Sequence, residues 1–152
     1  MKGVVVYQSK WGNSRQVAEA IARGLEEVGH EVTAEPVGSL KELSQAHDFI
    51  VVGGPTRMGR AYGPIKRFAK RKVTGEWAGK PFATFSTGAS ILGEKPSPQA
   101  AERLRETLES NGLKPIAEPF KAGVEDMHGP LAEGELDRAL EFGREIGAKL
   151  SG

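Results

Sequence analysis

The sequence predicts an α/β protein built as three layers: a doubly wound, five-stranded parallel sheet in the order 2-1-3-4-5, with helices on both faces. Three observations carry this. Short apolar runs alternate along the chain with segments of helical periodicity, the pattern of consecutive βα units. The first and third runs are nearly all apolar, as strands covered on both faces must be. The second and fifth runs hold Pro36, Pro115 and Pro119. Proline cannot donate to a ladder, so these runs belong at the sheet edges.

The elements follow in order. Val4 to Tyr7 is the first strand. Asn13 to Val28 is a helix, with Val17, Ile21, Leu25 and Val28 on one stripe and Gly29 ending it. Asn13, with Gln16 three residues on, has the spacing of a helix cap. Glu31 to Val37 alternates and forms the second strand. Ser39-Leu40-Lys41-Glu42 reads as a capping box opening a short helix. Asp48 to Gly53 is the third strand, Pro64 to Lys72 a helix, and Phe82 to Ser86 the fourth strand. Ser97 and Pro98 supply an N-cap and a first-turn proline for a helix lined by Leu104 and Leu108 that stops near Asn111-Gly112. Lys114 to Phe120 is the fifth strand. Glu133 to Leu150 is the last helix, its Leu136, Leu140, Gly143, Ile146 and Leu150 expected to face inward.

At 152 residues the chain suits one domain with a sizeable core. A net charge of +1 gives no global case for nucleic acid. No apolar run is long enough to span a bilayer, and the N-terminus runs straight into a strand without signal-peptide architecture, so a cytoplasmic setting is expected. The absence of cysteine removes disulfides, thiolate nucleophiles and cysteine-based metal sites. His30, His47 and His128 are scattered and read as surface or turn residues rather than metal ligands.

Chemistry concentrates in three loops. The first, Tyr7-Gln8-Ser9-Lys10-Trp11-Gly12-Asn13-Ser14, joins the first strand to a helix N-terminus. Unpaired first-turn N–H groups and the positive end of the dipole suit an anion there, and Gly12 lets backbone come close to it. The spacings of the common nucleotide loops, G-x-x-x-x-G-K-[ST] and G-x-G-x-x-G, are absent. The second loop, Gly53 to Gly63, follows the third strand, and the third, Ser86-Thr87-Gly88-Ala89-Ser90, follows the fourth. In the order 2-1-3-4-5 the switch point lies between strands one and three, where open α/β sheets bind ligands.

Together these loops resemble those of the flavodoxin family, over essentially the whole chain. Ser9-Lys10-Trp11-Gly12-Asn13-Ser14 is similar to the family phosphate loop S/T-x-T-G-x-T, with Trp11 in place of the middle Thr. An aromatic there is similar to WrbA-type quinone reductases. Pro55-Thr56-Arg57-Met58-Gly59-Arg60 resembles the loop that lies on one face of the flavin ring, and Ser86-Thr87-Gly88 the loop bordering its other side. The resemblance implies flavin mononucleotide (FMN) as cofactor. Backbone N–H groups at 10 to 14 and the Ser9 and Ser14 hydroxyls would hold the phosphate. Pro55 to Gly59 would contact the ring, with Trp11 and Tyr62 as aromatic neighbours; Trp77 is expected only to pack. An FMN-binding electron-transfer protein follows as the expected function, with an FMN-dependent quinone or NAD(P)H oxidoreductase of WrbA-like type as the alternative. A phosphoacceptor domain of the same topology needs acidic residues that Tyr7-Gln8-Ser9 and Gly53-Gly54 do not supply. Many flavodoxins are acidic around the flavin, whereas Arg57, Arg60, Lys66, Arg67, Lys70, Arg71 and Lys72 cluster here. They are a solvated face or a docking patch for an acidic redox partner.

Overall fold

The computed structural model of the chain describes residues 1–89, 99–126 and 128–151. Among the described residues seven strands and four α-helices follow one another: β1 (Lys2–Tyr7), α1 (Asn13–Glu27), β2 (Glu31–Pro36), β3 (Phe49–Arg57), β4 (Arg60–Ala61), α2 (Gly63–Arg71), β5 (Pro81–Ala89), α3 (Ala100–Ser110), β6 (Lys114–Pro115), β7 (Phe120–Val124) and α4 (Glu135–Ser151). The parallel sheet runs β2-β1-β3-β5, with β6 and β7 both pairing with β5 at its outer edge. Because β4 is only the return arm of a hairpin on β3 and β6 and β7 share one edge position, the order is the expected 2-1-3-4-5. Pro36 closes edge strand β2 and Pro115 lies in β6, on the opposite edge.

The period-two alternation of β1 divides the core. Val5 and Tyr7 face α1 and α4, with Ile21, Leu25, Phe49, Phe85, Phe142 and Ile146. Val4 and Val6 face α2 and α3, with Ile50, Ile65, Trp77, Phe82 and Leu104. Helices α1 and α4 meet backbone to backbone at Gly24 and Gly143. A Cβ on Gly24 would lie 2.2 Å from the Leu140 carbonyl oxygen, and one on Gly143 would lie 2.2 Å from that of Ile21. At the rim of that contact Arg144 binds Glu27 at 2.6 Å and Glu141 at 3.2 Å. The Glu27 hydrogen bond is the largest cause of the rise of its guanidinium pKa above the ordinary value. Among the described residues no helix is long and apolar enough to cross a membrane.

Several elements depart from expectation for physical reasons. No helix opens at Ser39. A single 3-10 turn covers Val37–Ser39 and the chain then runs irregularly to β3. One or two turns cannot repay helix nucleation, and Leu40 and Leu43 are instead spent as separate plugs against the core. Lys80 holds this stretch through the carbonyls of Gln45 and His47, at 2.6 and 2.9 Å. The fifth strand is split in two: Ile116 still gives its N–H to the Phe82 carbonyl at 2.9 Å, but Ala117 to Pro119 lie outside the ladder, where Pro119 has no hydrogen to give. Helix α3 takes its N-cap from Gln99, in a capping box with Glu102; Ser90, Ser97 and Pro98 lie outside the described residues. In α4 the inward stripe is Ala139, Phe142, Gly143, Ile146 and Gly147, and Leu136 is exposed. Val28, beyond the end of α1, is exposed too. His30 is buried rather than superficial: one ring nitrogen meets the N-terminal amine at 3.1 Å and the other the Gly147 carbonyl at 2.8 Å.

Candidate functional site

The cradle begins with the way α1 starts. Gly12, not Asn13, is the N-cap, at φ 91° and ψ −11°, with no side-chain cap. Nothing lies within 4 Å of where a Cβ on Gly12 would point. The Gly12 N–H donates to Ser9 Oγ at 3.1 Å, which closes the loop into a tight turn. The N–H groups of Lys10, Trp11, Asn13, Ser14 and Arg15 have no acceptor among the described residues. The first turn of α1 carries no acidic side chain, whereas those of α3 and α4 carry Glu102 and Glu135. Among the described residues the positive end of the α1 dipole therefore has no acidic side chain of its own first turn.

This loop forms one wall of a cavity of about 510 Å³, lined by Lys10, Trp11 and Asn13, by Pro55 to Met58 with Tyr62, and by Thr87, Gly88 and Ala89. A volume of that size is in the ~300–1,000 Å³ range of small-molecule and cofactor pockets. The second wall exists because β3 runs four residues past its expected end at Gly53, through Arg57. Its tip is the tight hairpin Arg57-Met58-Gly59-Arg60, with Met58 at φ 51° and 93% exposed. Left-handed backbone at a non-glycine residue costs energy that a hairpin tip must offset. Gln8 supports this wall from below: its side chain accepts the Ile65 N–H at 3.1 Å, in the first turn of α2, which Tyr62 caps without a side-chain bond. The third wall is the end of β5. It is tied to α1 by the Ser14 Oγ to Thr87 Oγ1 contact of 3.0 Å, and Thr56 Oγ1 joins β3 to α3 by accepting the Ala100 N–H at 3.0 Å.

Of the residues expected to form the site, Lys10, Trp11, Asn13, Pro55, Thr56, Arg57, Met58, Tyr62, Thr87 and Gly88 line this cavity. Ser9, Gly12 and Ser14 build the cradle behind it, their contacts made within the protein. Ser9 accepts from Gly12 and keeps its own hydrogen to give. Gly59 sits in the hairpin turn, away from the lining. Ser86 is fully buried and hydrogen-bonds Gln99 Oε1 at 3.0 Å, so its hydroxyl faces α3 rather than the cavity. Lys10 Nζ lies over both aromatic rings, 5.0 Å from the centroid of Trp11 and 5.4 Å from that of Tyr62. Such contacts hold the exposed Lys10 ammonium at the entrance.

A fourth loop, after β7, escaped the sequence reading. Val124 and His128 complete the lining. The His128 ring stacks on Trp11, centroids 4.6 Å apart and planes 24° from parallel, and its carbonyl accepts from Asn13 Nδ2 at 3.1 Å. Gly129 permits this closeness, since a Cβ there would lie 2.6 Å from Asn13 Oδ1. The signal that could have found the loop was its position: it follows a strand beside the fourth, on the ligand side of the sheet.

In a three-layer α/β sheet, four loops converging on the open start of α1 at the switch point mark the place where such sheets hold ligands. The flavodoxin domain family model matches residues 4–124, and the chain belongs to the flavodoxin family. Among known proteins it is similar to flavodoxin FldP of Pseudomonas aeruginosa, 35% identical over 101 residues that make up 62% of this chain and 54% of that protein. The chain thus spans about half the length of that curated relative. Its fold is also that of a flavodoxin from the domain Archaea, with a TM-score of 0.82 at 22% identity over 100% of both chains. A WrbA-like flavodoxin from Agrobacterium tumefaciens aligns with a TM-score of 0.75 at 25% identity, over 99% of this chain and 97% of the other. Flavodoxin-family proteins bind FMN and transfer electrons to redox partner proteins.

Proposed function

We propose that this chain binds FMN in the 510 Å³ cavity and serves as an electron-transfer protein. The observation that carries the reading is the row of unpaired N–H groups at the start of α1, opening into the same cavity as the ends of β3 and β5. The residues fit the group. Five N–H donors and the hydroxyl of Ser9 would receive a terminal phosphate. Pro55 to Met58, Tyr62, Thr87 and Gly88 would bound the ring, and Trp11 with His128 would form the floor of the entrance. When bound, FMN supplies the redox chemistry by taking up and returning electrons, and the protein sets its orientation and electrostatic surroundings.

In this reading the redox partner is acidic and approaches near Arg57, Arg60 and the Lys66–Lys72 segment of α2. The cytoplasmic setting expected from the sequence belongs to the same reading and is checked by cell fractionation. The WrbA-like alternative, an FMN-dependent quinone or NAD(P)H oxidoreductase, draws on Trp11 in the phosphate loop and on the likeness to the Agrobacterium protein. Calorimetric titration of the apoprotein with FMN, FAD and riboflavin tests the cofactor. FMN is expected to bind tightest; riboflavin or FAD binding as tightly would remove the phosphate cradle from the account. Steady NAD(P)H-dependent quinone reduction by the purified holoprotein would favour the alternative.

A further inference from the structure

Charge is distributed very unevenly over this protein. Residues 57–72 hold seven of the 21 Lys and Arg side chains and no Asp or Glu, so the rest of the chain carries 14 cations against 20 acids, a net −6. On the other helices most cations are paired: Arg15 with Glu19, Arg103 with Glu106, Arg105 with Glu109 and Glu118, Arg138 with Glu135, and Arg144 with Glu27, while Arg23 and Lys149 make no ion pair among the described residues. The seven cations of 57–72 are all exposed and make no ion pair among the described residues.

Within this face the fold builds a recess. Arg60 from β4, Lys66 from α2 and Arg103 from α3 enclose a cleft of about 400 Å³ over Ala61 and Leu104. Among the described residues Glu106 is the only acid in its wall, and its ion pair is with Arg103, at 3.7 Å. Arg103 lies far from the other two in sequence, and only the packing of α3 beside α2 brings it in. The neighbouring depression, lined by Arg57, Met58, Arg60 and Tyr62, joins this cleft to the cofactor cavity around the hairpin.

We propose that the Arg60–Lys66–Arg103 cleft is a seat for carboxylate side chains of an acidic protein partner, docked with Met58 of the hairpin tip against it. The proposal rests on the electron-carrier reading and names where that partner is gripped. Three cations from three elements can grip carboxylates from several sides at once, and arginine does so through paired donors. A protein fits better than a small anion, because the unpaired charge continues along α2 through Lys70, Arg71 and Lys72, beyond the cleft. It fits better than a nucleic acid, because the net −6 of the remaining surface repels a polyanion that extends past the patch.

The test is an NMR titration of isotope-labelled, FMN-loaded protein with a hexaglutamate peptide at low salt. Saturable shifts are expected at the amides of Ala61, Lys66, Leu104 and Thr107. They should weaken at least about tenfold in the double variant Lys66→Glu/Arg103→Glu, the loss of one or more charge-assisted contacts, and less in Lys66→Gln/Arg103→Gln. Lys72→Glu should leave them within about twofold, since that charge lies outside the cleft. Shifts that spread along α2 and ignore the double variant would overturn the seat. So would tighter binding of inorganic pyrophosphate, which means a small-phosphate site, or of a single-stranded oligonucleotide, which means a nucleic-acid face. Each variant's affinity for FMN is measured alongside. If the chain does not bind FMN, the same titration on the cofactor-free protein still decides the seat, and only the flavin reading falls.

Discussion

Replacing Gly12 by Asp tests the cradle directly. No atom lies within 4 Å of a Cβ at this position, so the cost to the fold is backbone strain alone, from φ 91°. That strain is roughly 1–2 kcal/mol for an ordinary residue and less for Asp or Asn. For a chain of this size it lowers Tm by only about 2–8 °C. The cost to binding is electrostatic. For an assumed separation of roughly 5 Å between a carboxylate on residue 12 and an anion held by the N–H groups of Asn13, Ser14 and Arg15, the repulsion follows from the charges. Taking about 332/(εr) kcal/mol per pair of unit charges, and about 1.5 charges on the phosphate, repulsion is roughly 1.2 kcal/mol at ε of about 80 and about 5 at ε of about 20. The affinity for FMN should therefore fall by a factor between about ten and several thousand. Gly12→Asn carries the same strain without the charge, in both the free and the bound protein, and should bind FMN within about threefold of wild type. Calorimetric or fluorimetric titration of the three proteins, each checked for folding by circular dichroism, gives the comparison. Asp and Asn variants of equal affinity would refute the placement of an anion at the start of α1.

Two further outcomes follow from the same structure. Arg57 lines the cavity proposed to hold FMN and Arg60 does not. In FMN-loaded protein, Arg57→Glu should make addition of the second electron harder, lowering that potential by tens of mV, below the ~59 mV of a tenfold change because solvent screens an exposed cation. Arg60→Glu should shift it less, and potentiometric titration separates the two. At the α1–α4 crossing, Gly143→Ala drives a methyl to 2.2 Å from the Ile21 carbonyl oxygen; overpacking of about 1–3 kcal/mol should exceed the ~1 kcal/mol gained in helix propensity. Thermal melts should show a lower Tm, and an unchanged or raised Tm would mean that the helices separate freely.

What the sequence made legible was whatever is encoded locally or by strong periodicity. The apolar runs of β1 and β3 and the edge prolines were enough to order the sheet, because burial on both faces and a missing N–H are properties of single residues. The first loop was readable because its hydroxyls, Gly12 and the following helix are contiguous. His128 was not readable. Its place beside Trp11 depends on the return of the chain after β7 and on contact between Asn13 and Gly129, residues over a hundred positions apart. Ser86 was misplaced for a related reason. The alternation along β5 puts its hydroxyl on the α3 face, where a buried Gln99 receives it, and no signal near Ser86 announces that partner. The capping box at Ser39 shows the opposite error, a valid local signal overruled because Leu40 and Leu43 gained more from the core.

The two tryptophans sit at opposite extremes of environment. Trp77 is 1% exposed, its indole nitrogen without a hydrogen-bond partner among the described residues, while Trp11 is 37% exposed at the mouth of the cavity. The protein therefore carries two intrinsic optical reporters that need no label. Emission from Trp77 should be blue-shifted and shielded from acrylamide until the core opens. Emission from Trp11 should be red-shifted and open to quenching, and should respond when a ligand covers the cavity mouth. With each tryptophan replaced in turn by phenylalanine, a single heating or denaturant experiment can follow ligand release and unfolding as separate signals and show which comes first.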